Sequence, residues 1–173
     1  MKKLTAGKLT LAAVTAALYV ALSYVSGEFA FGGAGMVQCR LSEALTVLPF
    51  FFPETAWGLF VGCILTNVLS PMGIPDLVLG SLATLIAALA TARMSKKWLA
   101  PLPPVLANGI IIGAMIGWFE AGGFNRAFWP AFAVNGALVA LGEAIACYVL
   151  GMLILWQLPR IPYFRKRISA SRL

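Results

Sequence analysis

The run AFWPAFAVNGALVALGEAIACYVLGMLILWQL, residues 127–158, decides the fold class of this chain. Its one charged residue is Glu143, which has sixteen uncharged residues on either side. A helix needs about 20 predominantly apolar residues to cross roughly 30 Å of hydrocarbon. The run therefore predicts a membrane-spanning helix that is long enough to tilt or to protrude from the bilayer.

The composition of the whole chain agrees with this interpretation. Of its 173 residues 61% are hydrophobic and 11% are charged, and the mean hydropathy is +0.90. Soluble domains carry about 25% charged residues. The chain has no His and three Cys without a Cys-x-x-Cys motif, so the usual ligands of zinc, haem and dithiol redox sites are missing. We expect a polytopic membrane protein whose thiols are small apolar core groups.

Uncharged runs and the turn residues between them predict six helices in one all-α membrane domain, residues 1–173. Asp76 stands where it would cap the start of the fourth helix. The approximate ranges of the six predicted helices are 9–26, 37–52, 54–70, 76–94, 104–119 and 127–158.

Basic residues predict the orientation of these helices. Thirteen Lys and Arg give a net charge of +7, and eleven of them fall in residues 2–8, 93–97 and 160–172. Alternate spans place these segments on one side of the membrane, with Arg40 and Arg126 on the other. Cytoplasmic loops carry an excess of Lys and Arg, so both termini are predicted to be cytoplasmic in a multi-pass cell-membrane protein. The same placement argues against nucleic acid as a partner.

Glu143 is the most informative polar residue, because an ionised side chain near the bilayer centre costs on the order of 3 kcal/mol. Such a carboxylate faces the bundle interior and either binds a ligand or ion or pairs with another side chain, and both alternatives stay open. Arg40 and Glu43, three residues apart, either pair locally or bind a ligand. Asn67 and Asn108 are either interhelical hydrogen-bonding groups or part of the same site.

Polar residues of four helices fall in the outer half of the membrane, beneath loops rich in aromatic side chains. Those aromatics belong either to the interfacial belt or to the cap of a flat ligand. An apolar pocket with a few convergent polar groups is the usual form of a small-molecule site. The candidate substrate-binding residues are Gln38, Arg40, Glu43, Asn67, Asp76, Asn108, Trp118, Asn135 and Glu143.

Two stripes of small residues predict close helix packing. Gly109, Gly113 and Gly117 favour packing inside this protein. Ala13, Ala17 and Ala21 on the first helix favour either internal packing or a flat face for another membrane protein. Which of the two applies is left open by the spacing alone.

Sequence motifs that would supply energy or catalysis are missing. The chain has no Gly-x-x-x-x-Gly-Lys-Ser/Thr motif for nucleotide hydrolysis. It also has no His and only one clear mid-membrane carboxylate, which is too few titratable groups for a catalytic proton relay. We therefore expect a binder rather than an enzyme, with no catalytic residues, metal or cofactor of its own. Any energy source is expected to belong to partner proteins.

A set of motifs resembles the QueT family. It consists of Gln38-Cys-Arg-Leu-Ser-Glu-Ala-Leu45, Leu48-Pro49-Phe50, Gly62-Cys63 with Asn67, and Asp76 with Gly80-Ser81 and Thr84-Leu85. That family comprises substrate-binding S components of energy-coupling factor (ECF) transporters, associated with queuosine precursors. The resemblance spans about residues 9–158.

The resemblance implies an S-component-like bundle of six helices. Its partners would be one transmembrane coupling protein and two ABC ATPases, which use the ATP. It also implies that Ala13, Ala17 and Ala21 contact the coupling protein, and that a 7-deazaguanine such as preQ0, preQ1 or queuine binds near the outer face. Glu43 and Glu143 are then candidates for reading the base edge. The alternatives are an S component for another vitamin-like solute or, less favoured, a small membrane enzyme.

Overall fold

The computed structural model describes residues 5–27 and 39–172, apart from the side chain of Ser171. Regular structure in these two ranges is entirely helical, so the all-α class is confirmed for this part of the chain. Three helical stretches are long and apolar enough to cross a membrane: Ala6–Val25, Lys97–Ala121 and Phe128–Arg160. Three shorter apolar helices accompany them: Leu41–Phe50, Thr55–Asn67 and Asp76–Thr91.

Each predicted helix overlaps a helical segment of the structure. The α-helices are α1 (Ala6–Val25), α2 (Thr55–Asn67), α3 (Ser81–Thr91), α4 (Leu102–Ala121), α5 (Phe128–Ala144), α6 (Met152–Gln157) and α7 (Pro162–Arg165). A π-helical turn, Asp76–Gly80, leads into α3, and a second π segment, Ile145–Gly151, joins α5 to α6. Short 3₁₀ turns occur at Lys97–Leu99, Leu158–Arg160 and Ala170–Arg172.

The segment predicted as a helix over 37–52 is a 3₁₀ helix, Leu41–Phe50, and its first predicted residues lie outside the described ranges. Pro49 within it has no N–H to donate, and the 3₁₀ form rises about 2.0 Å per residue against about 1.5 Å for an α-helix. Ten residues therefore extend about 20 Å. Residues 42–50 are all buried, so this short helix runs through the centre of the bundle.

Helix α1 packs on α2 through small residues. A Cβ added to Gly62 would lie 2.9 Å from the Ala16 carbonyl oxygen, and one added to Gly58 would collide with the Ala12 carbonyl. Such close backbone approach holds helices together where lipid is as apolar as their side chains. The neighbouring stripe of Ala13, Ala17 and Ala21 lies on the exposed face of α1.

Helices α4 and α5 pack through the glycine stripe, which confirms the predicted internal role of Gly109, Gly113 and Gly117. A Cβ added to Gly117 would lie 2.7 Å from the Phe132 backbone nitrogen. A Cβ added to Gly113 would collide with the Cα of Gly136. The two backbones are thus as close as they can be along this seam.

We expect Gly113→Ala to lower stability, because backbone rather than a flexible side chain blocks the new methyl group. Overpacking of this kind costs about 1–3 kcal/mol. Thermal unfolding of the purified protein in detergent should show a midpoint several degrees lower. Val134→Ala, at a half-exposed position on α5, is the matched control. Equal midpoints for the two variants would contradict the close α4–α5 seam.

Four chain segments meet at one end of the bundle. Arg172 donates hydrogen bonds to the carbonyl oxygens of Phe50 and of Ala92, the latter at 2.8 Å. The Arg167 guanidinium packs against Gly7 near the start of α1. The beginning of α1, the end of the 3₁₀ helix, the end of α3 and the C-terminal segment therefore share one end of the molecule.

Candidate functional site

A cluster of polar side chains is buried where the 3₁₀ helix meets the π turn, α3, α4 and α5. Few of these side chains are near solvent, and several carry a formal charge. Polar groups inside a membrane bundle are energetically costly, so their convergence at one place makes this cluster the candidate functional site. The lining residues are Arg40, Glu43, Asp76, Gly80, Thr84, Asn108, Ile112, Val139 and Glu143.

The space between these side chains is small. Its volume is about 10 Å³, which is room for one water molecule. Pockets for drug-sized ligands measure roughly 300–1,000 Å³. A ligand larger than a water therefore enters only if the walls of the cavity move apart.

Arg40 links the start of the 3₁₀ helix to α2 and to the π turn. Its Nη1 donates to Asn67 Oδ1 at 3.0 Å, and its Nη2 lies 3.6 Å from Asp76 Oδ2. The same Asp76 oxygen accepts a hydrogen bond from Ser70 Oγ at 2.5 Å. Asn67 Nδ2 donates in turn to the backbone oxygen of Asp76 at 3.1 Å. These contacts fix the guanidinium at one wall of the cavity.

Of the two alternatives left open for Arg40 and Glu43, a local ion pair is not found among the described residues, and the predicted capping role of Asp76 is wrong. Among the described residues the ion pair of Arg40 is with Asp76, not with its helical neighbour Glu43. A 3₁₀ helix has three residues per turn, so Glu43 follows Arg40 along one face, but Glu43 instead accepts a hydrogen bond from α1. Asp76 makes no side-chain capping bond, because its carboxylate is occupied by Arg40 and Ser70.

Glu43 is buried, with 2% of its surface exposed. The Tyr19 hydroxyl of α1 donates to its Oε1. Its Oε2 has no hydrogen-bond partner within the described residues. Its backbone oxygen accepts from Thr46 Oγ1 at 2.6 Å and from Cys147 Sγ at 3.3 Å. The side chain is thus held on one oxygen while the other is left open.

Glu143 faces the bundle interior, as predicted, and is 8% exposed. Cys147 Sγ lies 3.8 Å from its Oε2, and Asn108 of α4 lines the same cavity. Both of these neighbours are neutral groups. Glu143 and Glu43 therefore face the same small space from two different helices.

Three of the predicted substrate-binding residues are not part of this cluster: two lie elsewhere in the structure, and one lies outside the described residues. Asn135 is buried but donates to Glu120 Oε2 at 2.5 Å and to the Ala131 oxygen at 2.8 Å. Asn135 precedes Glu143 by eight helical positions, so it is rotated by about 80° and lies about 12 Å away along the helix axis. Trp118 is 41% exposed and contacts Phe119 edge to face. Gln38 lies outside the described residues.

Sequence reasoning missed Tyr19, Gly80 and Thr84. Tyr19 has a signal in the sequence, because Thr15, Tyr19 and Ser23 recur every four residues and give an otherwise apolar helix a polar face. That face is the buried one. Gly80 and Thr84 belong to the motifs that carry the family resemblance, and the tertiary structure brings them to the cavity from the π turn and α3.

Gly80 provides a sensitive test of the cluster. A Cβ at this position would lie 2.7 Å from both Asn67 Nδ2 and Asp76 Oδ1. We expect Gly80→Ala to displace the two groups that hold Arg40 and to weaken ligand binding about tenfold or more, since one lost charge-assisted hydrogen bond is worth that much. Leu82→Ala, at a partly exposed position of α3, is the control. Isothermal titration of both variants measures the effect, and unchanged affinity of Gly80→Ala would disprove it.

Comparisons with known proteins agree with the resemblance seen in the motifs. A family model described as "QueT transporter" matches residues 9–160. "Queuosine precursor transporter QueT" of Lactococcus lactis subsp. cremoris (strain MG1363) is 35% identical over 86 residues, which are 50% of this chain and 50% of that relative. The alignment thus spans half the length of the curated relative. No solved structure matches. The residues that the family model matches include the whole buried cluster.

Proposed function

Because this chain belongs to the QueT transporter family, we propose that it is the substrate-binding S component of an ECF importer for a queuosine precursor. It binds the precursor near the outer face and transports it only with an ATP-hydrolysing partner module. The observation that carries this proposal is the cluster of three carboxylates, one guanidinium and one amide buried between membrane helices. Such a cluster has the donors and acceptors that a purine-like base requires.

The proposed topology has six membrane spans with both termini in the cytoplasm. Three of the four segments that share one end of the bundle carry or adjoin most of the basic residues of the described chain, which supports a cytoplasmic location for that end by the positive-inside rule. The short helix Leu41–Phe50 crosses through the buried centre of the bundle, whereas Thr55–Asn67 and Asp76–Thr91 expose apolar side chains such as Val61 and Ile86 on the bundle surface. Arg126 then belongs to the outer side.

Recognition of the base follows from its hydrogen-bonding edges. A 7-deazaguanine has N–H donors along one edge, and a carboxylate accepts two parallel hydrogen bonds from them. Glu43 and Glu143 are the candidates for this role. Arg40 donates to the base carbonyl, and Ile112 and Val139 supply apolar contact for the flat ring. Binding parts the walls of the cavity, since its present volume holds about one water.

The partner module is expected to contact the exposed face of α1. Ala13, Ala17 and Ala21 form a flat stripe there, while Ala12 and Ala16 already pack against α2. Small residues allow another helix to approach closely. Because the other stripe is already used for internal packing, the exposed stripe is available for assembly with a transmembrane coupling protein. That protein would couple transport to ATP hydrolysis by two ABC ATPases.

Titration of the purified protein with 7-deazaguanines and with a panel of vitamins tests the proposal. We expect saturable binding of a 7-deazaguanine and no comparable response to any vitamin. A strong response to a vitamin alone would instead support an S component for another solute. Uptake into proteoliposomes should require both ATP and the coupling module. Chemical conversion of the ligand by the protein alone would identify an enzyme and contradict the proposal.

A further inference from the structure

We propose that the end of the bundle where the four chain segments meet binds anionic phospholipid headgroups. Nine basic side chains of the described ranges lie in or next to three of these segments, and one side-chain carboxylate, that of Glu54, follows the fourth. The basic residues are Lys8, Arg93, Lys96, Lys97, Arg160, Arg165, Lys166, Arg167 and Arg172. Such lipid binding is independent of the ligand in the polar cavity, so it lies beyond the proposed function.

Folding brings cations from distant parts of the chain next to one another. A Cβ added to Gly7 would lie 2.9 Å from Arg167 Nη2, so Arg167 lies beside the start of α1, where Lys8 follows. Arg172 likewise donates to the carbonyl oxygen of the residue before Arg93, at 2.8 Å. In the ranges 5–27 and 39–172, neither Lys8 nor Arg93 forms an ion pair. Like charges repel, and an anion bound between them removes that repulsion.

The C-terminal segment fixes the height of its charges on the bundle. Ile168 is buried in the apolar core, and the Phe164 ring lies 5.9 Å from the ring of Phe52. The Arg167 guanidinium lies 4.7 Å from the centre of the Tyr163 ring. The segment therefore folds back onto the end of the bundle, and its basic side chains stay close to the ends of the membrane helices.

Exposed aromatic side chains at the same end favour a lipid over a soluble partner. Trp98, Trp156 and Tyr163 are each more than half exposed. Trp and Tyr concentrate at the headgroup level of a bilayer. Leu153, an exposed apolar side chain, lies within one turn of Trp156, so the lipid-facing surface begins directly beside these rings. The basic side chains thus lie at the depth of the lipid phosphates, whose oxygens accept charge-assisted hydrogen bonds from Lys and Arg.

The test is lipid binding by the purified full-length protein in a neutral detergent. We expect phosphatidylglycerol to raise the thermal midpoint by several degrees, because a lipid that binds the folded state stabilises it. Phosphatidylcholine and inorganic phosphate should have no comparable effect, since the first has no net charge and the second has no apolar chains. Native mass spectrometry counts the bound lipids.

Variants at exposed positions locate the lipid site. Arg165→Gln should weaken phosphatidylglycerol binding about fivefold, the usual worth of one basic residue at an anionic surface. Adding Lys166→Gln should bring the loss to about thirtyfold. Arg126→Gln removes one exposed arginine from the loop between α4 and α5 and is the matched control for the single variant. It should leave phosphatidylglycerol binding unchanged.

Equal stabilisation by phosphatidylglycerol and phosphatidylcholine would overturn the proposal, and so would stabilisation by inorganic phosphate alone. Unchanged phosphatidylglycerol binding by the double variant would also overturn it. Stabilisation by polyglutamate without any by phosphatidylglycerol would show instead that this end binds an acidic protein segment. Because the lipids are compared on the wild-type protein without a transported ligand, the outcome does not depend on the proposed function or on the folding of a variant.

Discussion

Replacing Arg40 by glutamine is expected to weaken ligand binding at least about a hundredfold, the usual effect of truncating one partner of a buried charge pair. Arg40 joins Asn67 of α2 to Asp76 of the π turn by contacts of 3.0 and 3.6 Å. Without the guanidinium, Asp76 is a buried carboxylate with no counter-charge. The thermal midpoint should therefore fall together with the affinity, and both are measured on the purified protein.

Two further variants separate the role of Arg40 in binding from its role in folding. Arg126→Gln removes an exposed arginine from the loop between α4 and α5 and should change neither quantity. The double variant Arg40→Met with Asp76→Leu removes both charges, and replacement of a buried pair by apolar groups is often neutral for stability. We expect it to recover stability but not binding. Recovery of binding would show that Arg40 serves the fold alone.

Ala17→Leu is expected to lower ATP-driven uptake about tenfold or more while ligand binding by the isolated protein stays unchanged. Ala17 lies on the exposed stripe of α1, on the side of the helix that does not pack on α2. A larger side chain there would hold a partner helix away, and overpacking of a close interface costs about 1–3 kcal/mol. Proteoliposome uptake and isothermal titration, measured side by side, separate the two functions.

Ala133→Leu makes the same substitution on the exposed face of α5 and serves as the matched control. It should leave uptake and binding at wild-type levels. Co-purification of the coupling protein with each variant gives a second readout, and only Ala17→Leu should reduce it. Normal uptake by Ala17→Leu would contradict an interface on this stripe.

Much of the fold can be read from the sequence because lipid imposes simple rules. The uncharged run around Glu143 predicts the long stretch that the structure gives as Phe128–Arg160. Backbone groups must be satisfied within each segment, so helices are the expected form. The 3₁₀ form of Leu41–Phe50 was not predictable in this way. It depends on how these ten residues, which lie between α1 and α2 in the chain, fill the centre of the bundle, which is a tertiary effect.

The candidate site was partly predictable for a related reason. Charged residues are rare in apolar segments and therefore indicate candidate site residues, and Arg40, Glu43 and Glu143 do line one cavity. Their partners were not predictable, because the Arg40–Asp76 pair joins segments that are distant in sequence. Asn135 does not line this cavity, because a residue two helical turns from Glu143 is displaced along the axis and rotated to another face.

The narrowness of the cavity among Arg40, Glu43 and Glu143 has a consequence for the timing of transport. A base larger than one water can enter only during excursions that part the helices. The apparent affinity is then the intrinsic affinity reduced by the fraction of molecules that are open. Capture would level off at the opening rate as the ligand concentration rises, and release would wait for the same motion. Under the proposed function, such a receptor would therefore both load and release its ligand slowly.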